Sequence, residues 1–148
     1  MDNHAHITIL SKSNNVGLAR LSVAAFASEL DFTLNEIEEI KVAVSEAVTN
    51  CIIHAYPFEE GLINIDLTIE DNKLIVVIDD NGVGIEDTDA VLQPSYSTRD
   101  DHMGLGLAFI DSFMDEFILE SSIDEGTSLK MIKIPEKFKN EKTKNVVN

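Results

Sequence analysis

Residues Leu74–Ile85 read LIVVIDDNGVGI, an apolar, β-branched run that ends in two aspartates, an asparagine and two glycines one residue apart. Strands favour residues such as Ile75, Val76 and Val77, and glycine permits backbone conformations closed to other residues. The pattern describes a buried strand that delivers a carboxylate and bare backbone to one spot, which is a way to build a small-molecule site. Strand alternation would send Asp79 and Asp80 to opposite faces. An ordinary Asn81-Gly82 turn leaves the same local trace, so the stretch gains meaning only from its surroundings.

Upstream, Leu62–Glu70 alternates, with Ile63, Ile65, Leu67 and Ile69 on one face, and Asp71-Asn72 supplies a tight turn into Leu74. Thr33-Leu34-Asn35-Glu36 is a capping box, so a helix starts near Leu34 and runs to about Tyr56, where Pro57 stops it. The apolar residues Ile37, Ile40, Val44, Ala47, Val48, Cys51, Ile52 and Ala55 cover a wide arc of that helix. Glu46, Asn50 and His54 recur every four residues between these apolar flanks, so the stripe faces a cleft. An earlier helix, capped by Ser13 or Asn14 and running to about Leu30, packs Val16, Ala19, Val23, Phe26, Ala27 and Leu30. His4–Leu10 reads as a first strand, in which His4 and His6 lack a third metal ligand nearby in sequence and suggest a frayed terminus.

Downstream, Glu86–Ser97 is acidic and broken by Pro94, a loop of the length that often covers a site. Gly104 and Gly106 are expected to open a helix whose Leu107, Ile110, Phe113 and Met114 face the core, exposing N–H groups to an anion. Phe117–Ser121 and Thr127–Ile134 form a closing hairpin around Asp124-Glu125-Gly126. Residues 1–135 are then one domain, and 136–148, rich in lysine, form a disordered tail. Hairpin-joined strands with helices in two groups argue for an α+β two-layer sandwich, a mixed, mostly antiparallel sheet with helices on one face.

Bulk properties exclude several classes. The net charge of −16 is uneven: up to Leu129 there are 5 Lys+Arg against 25 Asp+Glu, and from Lys130 onward 6 lysines against 2 glutamates. So acidic a body repels phosphate backbones, which argues against nucleic acid, and makes a bound polyphosphate dependent on a metal ion. The sequence shows neither an apolar run long enough to span a membrane nor a signal peptide, and its one cysteine excludes an internal disulfide framework. A cytoplasmic protein is expected.

Taken together, the helical E-x-x-x-N of Glu46 and Asn50, the strand-end D-x-G-x-G of Asp80, Gly82 and Gly84, the G-x-G of Gly104 and Gly106, and Gly126-Thr127 resemble the ATP-binding (Bergerat-type) domain of gyrase, a heat-shock chaperone, histidine kinases and MutL. The run KVAVSEAVTNCIIHAYP is similar to the anti-sigma factor serine kinases of Gram-positive bacteria. The segments ARLSVAAF, EAVTNCIIHAY and FMDEFILES resemble the anti-sigma F branch of spore-formers. That resemblance covers about residues 5–135. It implies a protein serine/threonine kinase using ATP and Mg²⁺ that inhibits a sporulation sigma factor as a homodimer. Its phospho-acceptor would be an anti-anti-sigma protein. By the same resemblance Asn50 holds Mg²⁺, Glu46 is the general base, Asp80 accepts from the adenine amino group, and Gly82 and Gly84 pass close to base and ribose. Gly104 and Gly106 would cradle phosphates, Thr127 would support the adenine pocket and Arg20 would meet a partner. The family's arginine two residues before the first glycine is absent from Asp101-His102-Met103, with Arg99 a substitute only if the loop folds back. The alternative is a nucleotide-gated sigma-binding module with negligible kinase activity.

Overall fold

A computed structural model describes residues 2–85 and 101–139, with backbone alone from 101 to 105. The elements are β1 (Asn3–Leu10), α1 (Val16–Ala27), α2 (Leu34–Asn50), β2 (Leu62–Glu70), β3 (Lys73–Asp80), α3 (Asp101–Phe113), β4 (Glu116–Ser122) and β5 (Gly126–Lys133). The strands form one sheet in the order β1-β2-β3-β5-β4. Every neighbouring pair is antiparallel, so the expected α+β sandwich is present with an antiparallel rather than a mixed sheet.

Alternation places the core between sheet and helices. Ile63, Ile65, Leu67 and Ile69 of β2 and Leu74, Val76 and Ile78 of β3 are buried. They pack with Ala19, Val23 and Ala27 of α1, Ile40, Val44 and Val48 of α2, and Leu107 and Ile110 of α3. Each such isoleucine or leucine contributes about 2 kcal/mol of burial. The β2–β3 hairpin closes through Asp71 (φ 51°) and Asn72 (φ 62°), the left-handed pair that a two-residue turn needs. Both halves of the capping box form: Glu36 N–H donates to Thr33 Oγ1 at 3.1 Å, and Thr33 N–H to Glu36 Oε2 at 2.7 Å. The buried Lys133 ties the helix layer to β5, donating to Glu39 Oε2 at 3.3 Å and to the Phe113 carbonyl.

Four expectations need correction. The first helix starts at Val16 after a 3₁₀ turn over Ser13–Asn15, and its N-cap is Asn15 rather than Ser13 or Asn14. The second stops being α-helical at Asn50, and Cys51–Ala55 form a π turn, closed by Tyr56 N–H donating to Cys51 O at 3.2 Å. His4 and His6 are not frayed: they lie in β1, and both rings meet Asp66 Oδ1 across the strand pair at 3.0 Å. Among the described residues no three His, Cys, Asp or Glu side chains come together as a metal site. Finally, the expectation of disorder from residue 136 does not hold for its first residues. Residues 136–139 form a helical turn, Glu136 N–H donates to Glu36 Oε1 at 2.7 Å, and Lys137 reaches Asp31 at 3.2 Å. Residues 140–148, like the expected covering loop and Arg99, lie outside the described residues.

Candidate functional site

Asp80 ends β3 with its side chain turned toward the helices, and it is 6% exposed. Oδ1 accepts from Gly82 N–H at 3.0 Å and from Thr127 N–H at 3.2 Å, so two backbone amides set the carboxylate's orientation. Burial nonetheless pushes its pKa up, outweighing the Gly82, Cys51 and Thr127 hydrogen bonds that favour the ion. Asp79 is half-buried on the opposite face, in an open polar groove with Asn64, Glu120 and Ser128.

The pocket in front of Asp80 is lined by Asn50, Cys51, His54 and Ala55 of the α2 end, by Gly84 and Ile85, by Leu107 of α3 and by Leu119, Thr127 and Leu129 of the last hairpin. Its apolar walls with a few convergent polar atoms suit a flat heteroaromatic ligand. Gly82 and Gly84 earn their places by close approach. A Cβ on Gly82 would stand 2.3 Å from Ala55 O, and one on Gly84, at φ +76°, 2.1 Å from Ser122 O. Ser121, which carried no signal in the sequence, knits this end of the site: its hydroxyl accepts from Ile85 N–H at 2.7 Å and meets Thr127 Oγ1 at 2.7 Å.

Glu46 and Asn50 reach the same region from α2, and α3 comes against them. A Cβ on Gly106 would lie 2.9 Å from Glu46 Oε2 and 3.4 Å from Asn50 Nδ2. Gly104 and Gly106 sit at the fourth and sixth positions of α3, so they do not open the helix. Its first residue is Asp101, and Gly106 serves close packing of α3 on α2 instead of offering a terminal N–H group. Gly104, the fourth residue of α3, lies in its first turn. Arg20 is outside the pocket, on α1, where Nη1 donates to Ser45 Oγ at 3.3 Å. The structure therefore gathers Glu46, Asn50, Asp80, Gly82, Gly84, Gly106 and Thr127 and leaves Arg20 apart.

Comparison with known proteins identifies the family and the fold. A histidine kinase-like ATPase domain spans residues 9–133. The chain is 45% identical over 135 residues to the anti-sigma F factor of Clostridium kluyveri, covering 90% of this chain and 95% of that one. It is 47% identical over 134 residues to the anti-sigma F factor of Caldanaerobacter subterraneus subsp. tengcongensis, covering 89% and 94%. The chain belongs to the anti-sigma F factor family.

Among solved structures, the RsbU and RsbW domains of a Mycobacterium tuberculosis protein superpose with a TM-score of 0.65 at 19% identity, over 89% of this chain and 32% of that one. The histidine kinase domain of an Erythrobacter litoralis blue-light-activated kinase gives 0.57 at 19% identity, over 84% and 61%. These likenesses concern the fold. For an anti-sigma F factor with a histidine kinase-like ATPase domain, the nucleotide is ATP. The donor set fits it: Asp80 offers an oriented acceptor for an amino group, between apolar walls. Asn50 Oδ1 is buried with no hydrogen-bond partner among the described residues, the condition of an amide oxygen left for a cation.

Proposed function

We propose that this chain is an ATP-dependent anti-sigma factor. It binds and inhibits a sporulation sigma factor as a homodimer in the cytoplasm, and phosphorylates a serine of its anti-anti-sigma protein. The observation that carries the reading is the meeting of the inward Asp80 carboxylate and the buried Asn50 oxygen at one pocket, with Glu46 beside Asn50 against Gly106. Relatives named anti-sigma F factors, matched nearly end to end, support the sigma-factor partner.

Asp80 accepts from the adenine 6-amino group, a position where guanine presents a carbonyl, which rejects it by facing oxygen with oxygen. Asn50 Oδ1 would hold the Mg²⁺, which would supply charge neutralisation at the phosphates. Glu46, one turn earlier on α2, accepts the hydrogen of the incoming serine hydroxyl, so that its oxygen points at the γ-phosphorus. The serine O–P bond forms as the β–γ bridging bond breaks, and the proton passes to the carboxylate. Positioning dominates such transfer, and both Glu46 and Asn50 project from one helix held by core contacts at Val44, Ala47 and Val48. Arg20, a cation on a strongly acidic body, meets a carboxylate of the partner. No described helix is long and apolar enough to cross a membrane.

Glu46→Gln keeps the shape of the site and removes the proton acceptor. It is expected to bind Mg-ATP as wild type does and to lose roughly a hundredfold or more in transfer of labelled phosphate to the acceptor. Unchanged transfer would overturn the assignment of Glu46. Wild-type protein that holds the sigma factor with ATP but labels no acceptor would leave the nucleotide-gated binding module as the function.

A further inference from the structure

The register of β2 on β3 ends at Ile63 opposite Asp80, so the next rung would set Leu62 against Asn81. In an antiparallel ladder such a rung is closed by direct N–H···O=C bonds. Here the phenol of Tyr56 stands between the two strands. Its oxygen accepts from Asn81 N–H at 2.8 Å and its hydrogen is donated to Leu62 O at 2.7 Å. A phenolic hydroxyl can do both at once, and burial raises its pKa, which keeps the hydrogen in place.

We propose that Tyr56 is a positioning residue for nucleotide recognition: its hydroxyl splits the β2–β3 ladder one rung early and aims the Asp80–Gly84 turn into the pocket. The inference rests on the reading of that pocket as an adenine-nucleotide site. The neighbouring bonds agree with it. Ala55 O, the residue before Tyr56, accepts from Val83 N–H at 3.1 Å, and Gly82 lies so close to Ala55 that a Cβ would stand 2.3 Å from the same oxygen. Successive residues at the helix end thus grip successive parts of the turn, while Gly82 N–H is sent back to Asp80 Oδ1. The π turn makes this possible, because the wider coil delivers Ala55 and Tyr56 to the strand ends. The ring is braced from behind by Gly61, where a Cβ would stand 2.1 Å from Cε1 of Tyr56. Gly61 cannot retreat, since Ser11 Oγ accepts its N–H at 2.9 Å and Ser11 N–H donates to its carbonyl at 2.9 Å.

Two variants attack the wedge from different sides. Tyr56→Phe removes the hydroxyl and keeps the ring; Gly61→Ala keeps the hydroxyl and displaces the ring. Both are expected to raise the Kd for Mg-ATP about tenfold, to raise the KM for ATP by a similar factor with kcat unchanged, and to narrow the preference for Mg-ATP over Mg-GTP. Hydrogen exchange at the Asn81 amide is expected to accelerate about tenfold in Tyr56→Phe. A merely structural role predicts a lower melting temperature with the ATP/GTP preference intact, and that result overturns the proposal. So does wild-type affinity in either folded variant, and if one variant fails to fold the other decides. Wild-type protein that binds no Mg-ATP would instead refute the nucleotide reading; Asn81 exchange in Tyr56→Phe would still decide whether the hydroxyl holds the turn.

Discussion

Gly106→Ala separates chemistry from stability, because the two should move in opposite directions. Gly106 is buried in α3, and replacing a helical glycine by alanine stabilises a helix by about 1 kcal/mol. The added methyl would stand 2.9 Å from Glu46 Oε2, where ordinary contact begins near 3.4 Å, so the carboxylate must yield by roughly half an ångström. Side-chain readjustment of that size costs about 0.5–1 kcal/mol, leaving a net stability change between zero and about +0.5 kcal/mol. For a chain of this length that is a rise of up to about 2 °C in Tm. A shift of 1 Å in a positioned group costs on the order of a hundredfold in rate, so half of it should lower kcat about tenfold. Phosphate transfer to the acceptor serine and thermal melts followed by circular dichroism, on the same preparation, measure both. Wild-type kcat would refute the contact between Gly106 and a working Glu46. A Tm several degrees lower would show that backbone, rather than the Glu46 tip, absorbs the methyl.

Asp80→Asn should weaken Mg-ATP binding by roughly ten- to a hundredfold, the value of a hydrogen bond to a charged acceptor, as read by titration calorimetry. Because burial raises the Asp80 pKa, the folded state holds this proton more tightly than the unfolded chain, and ionisation costs stability as pH rises through the raised value. The variant should therefore be at least as stable as wild type at pH 7, with the gap closing below the usual carboxylate range; a less stable variant at pH 7 would contradict the assignment. Asp66 behaves oppositely: the His6 hydrogen bond is the largest influence and lowers its pKa against desolvation, with the His4 hydrogen bond adding to the lowering. Its contribution is present above the ordinary carboxylate pKa and fades as pH falls through the lowered one. The wild-type advantage over Asp66→Asn in urea denaturation should shrink across that window, and an advantage independent of pH would exclude the ionic link.

Much of this architecture was written in local pattern. The capping box at Thr33, the alternation of β2 and the Asp71-Asn72 turn each depend on residues within a few positions of one another, and each appears as read. The family resemblance was likewise carried by contiguous segments, and the relatives bear it out. What stayed hidden depends on partners far along the chain. Gly104 and Gly106 look alike as helix openers or as packing glycines, and only Glu46 and Asn50, brought up by α2, decide for Gly106. Tyr56 read as the last residue before a proline, since nothing nearby announces that Asn81 and Leu62 will meet its hydroxyl. The π turn at Cys51–Ala55 keeps the apolar pattern of an α-helix, so periodicity could not reveal it.

The only cysteine of the chain sits in the wall of the pocket, 7% exposed, and burial with the nearby Asp80 charge raises its thiol pKa. A thiol-specific alkylating reagent therefore has one address in this protein. Its reaction there is slow, because it must await both an opening and a rare deprotonation. The rate of that single labelling event is a clock for how often the pocket breathes, and anything that fills the pocket stops it.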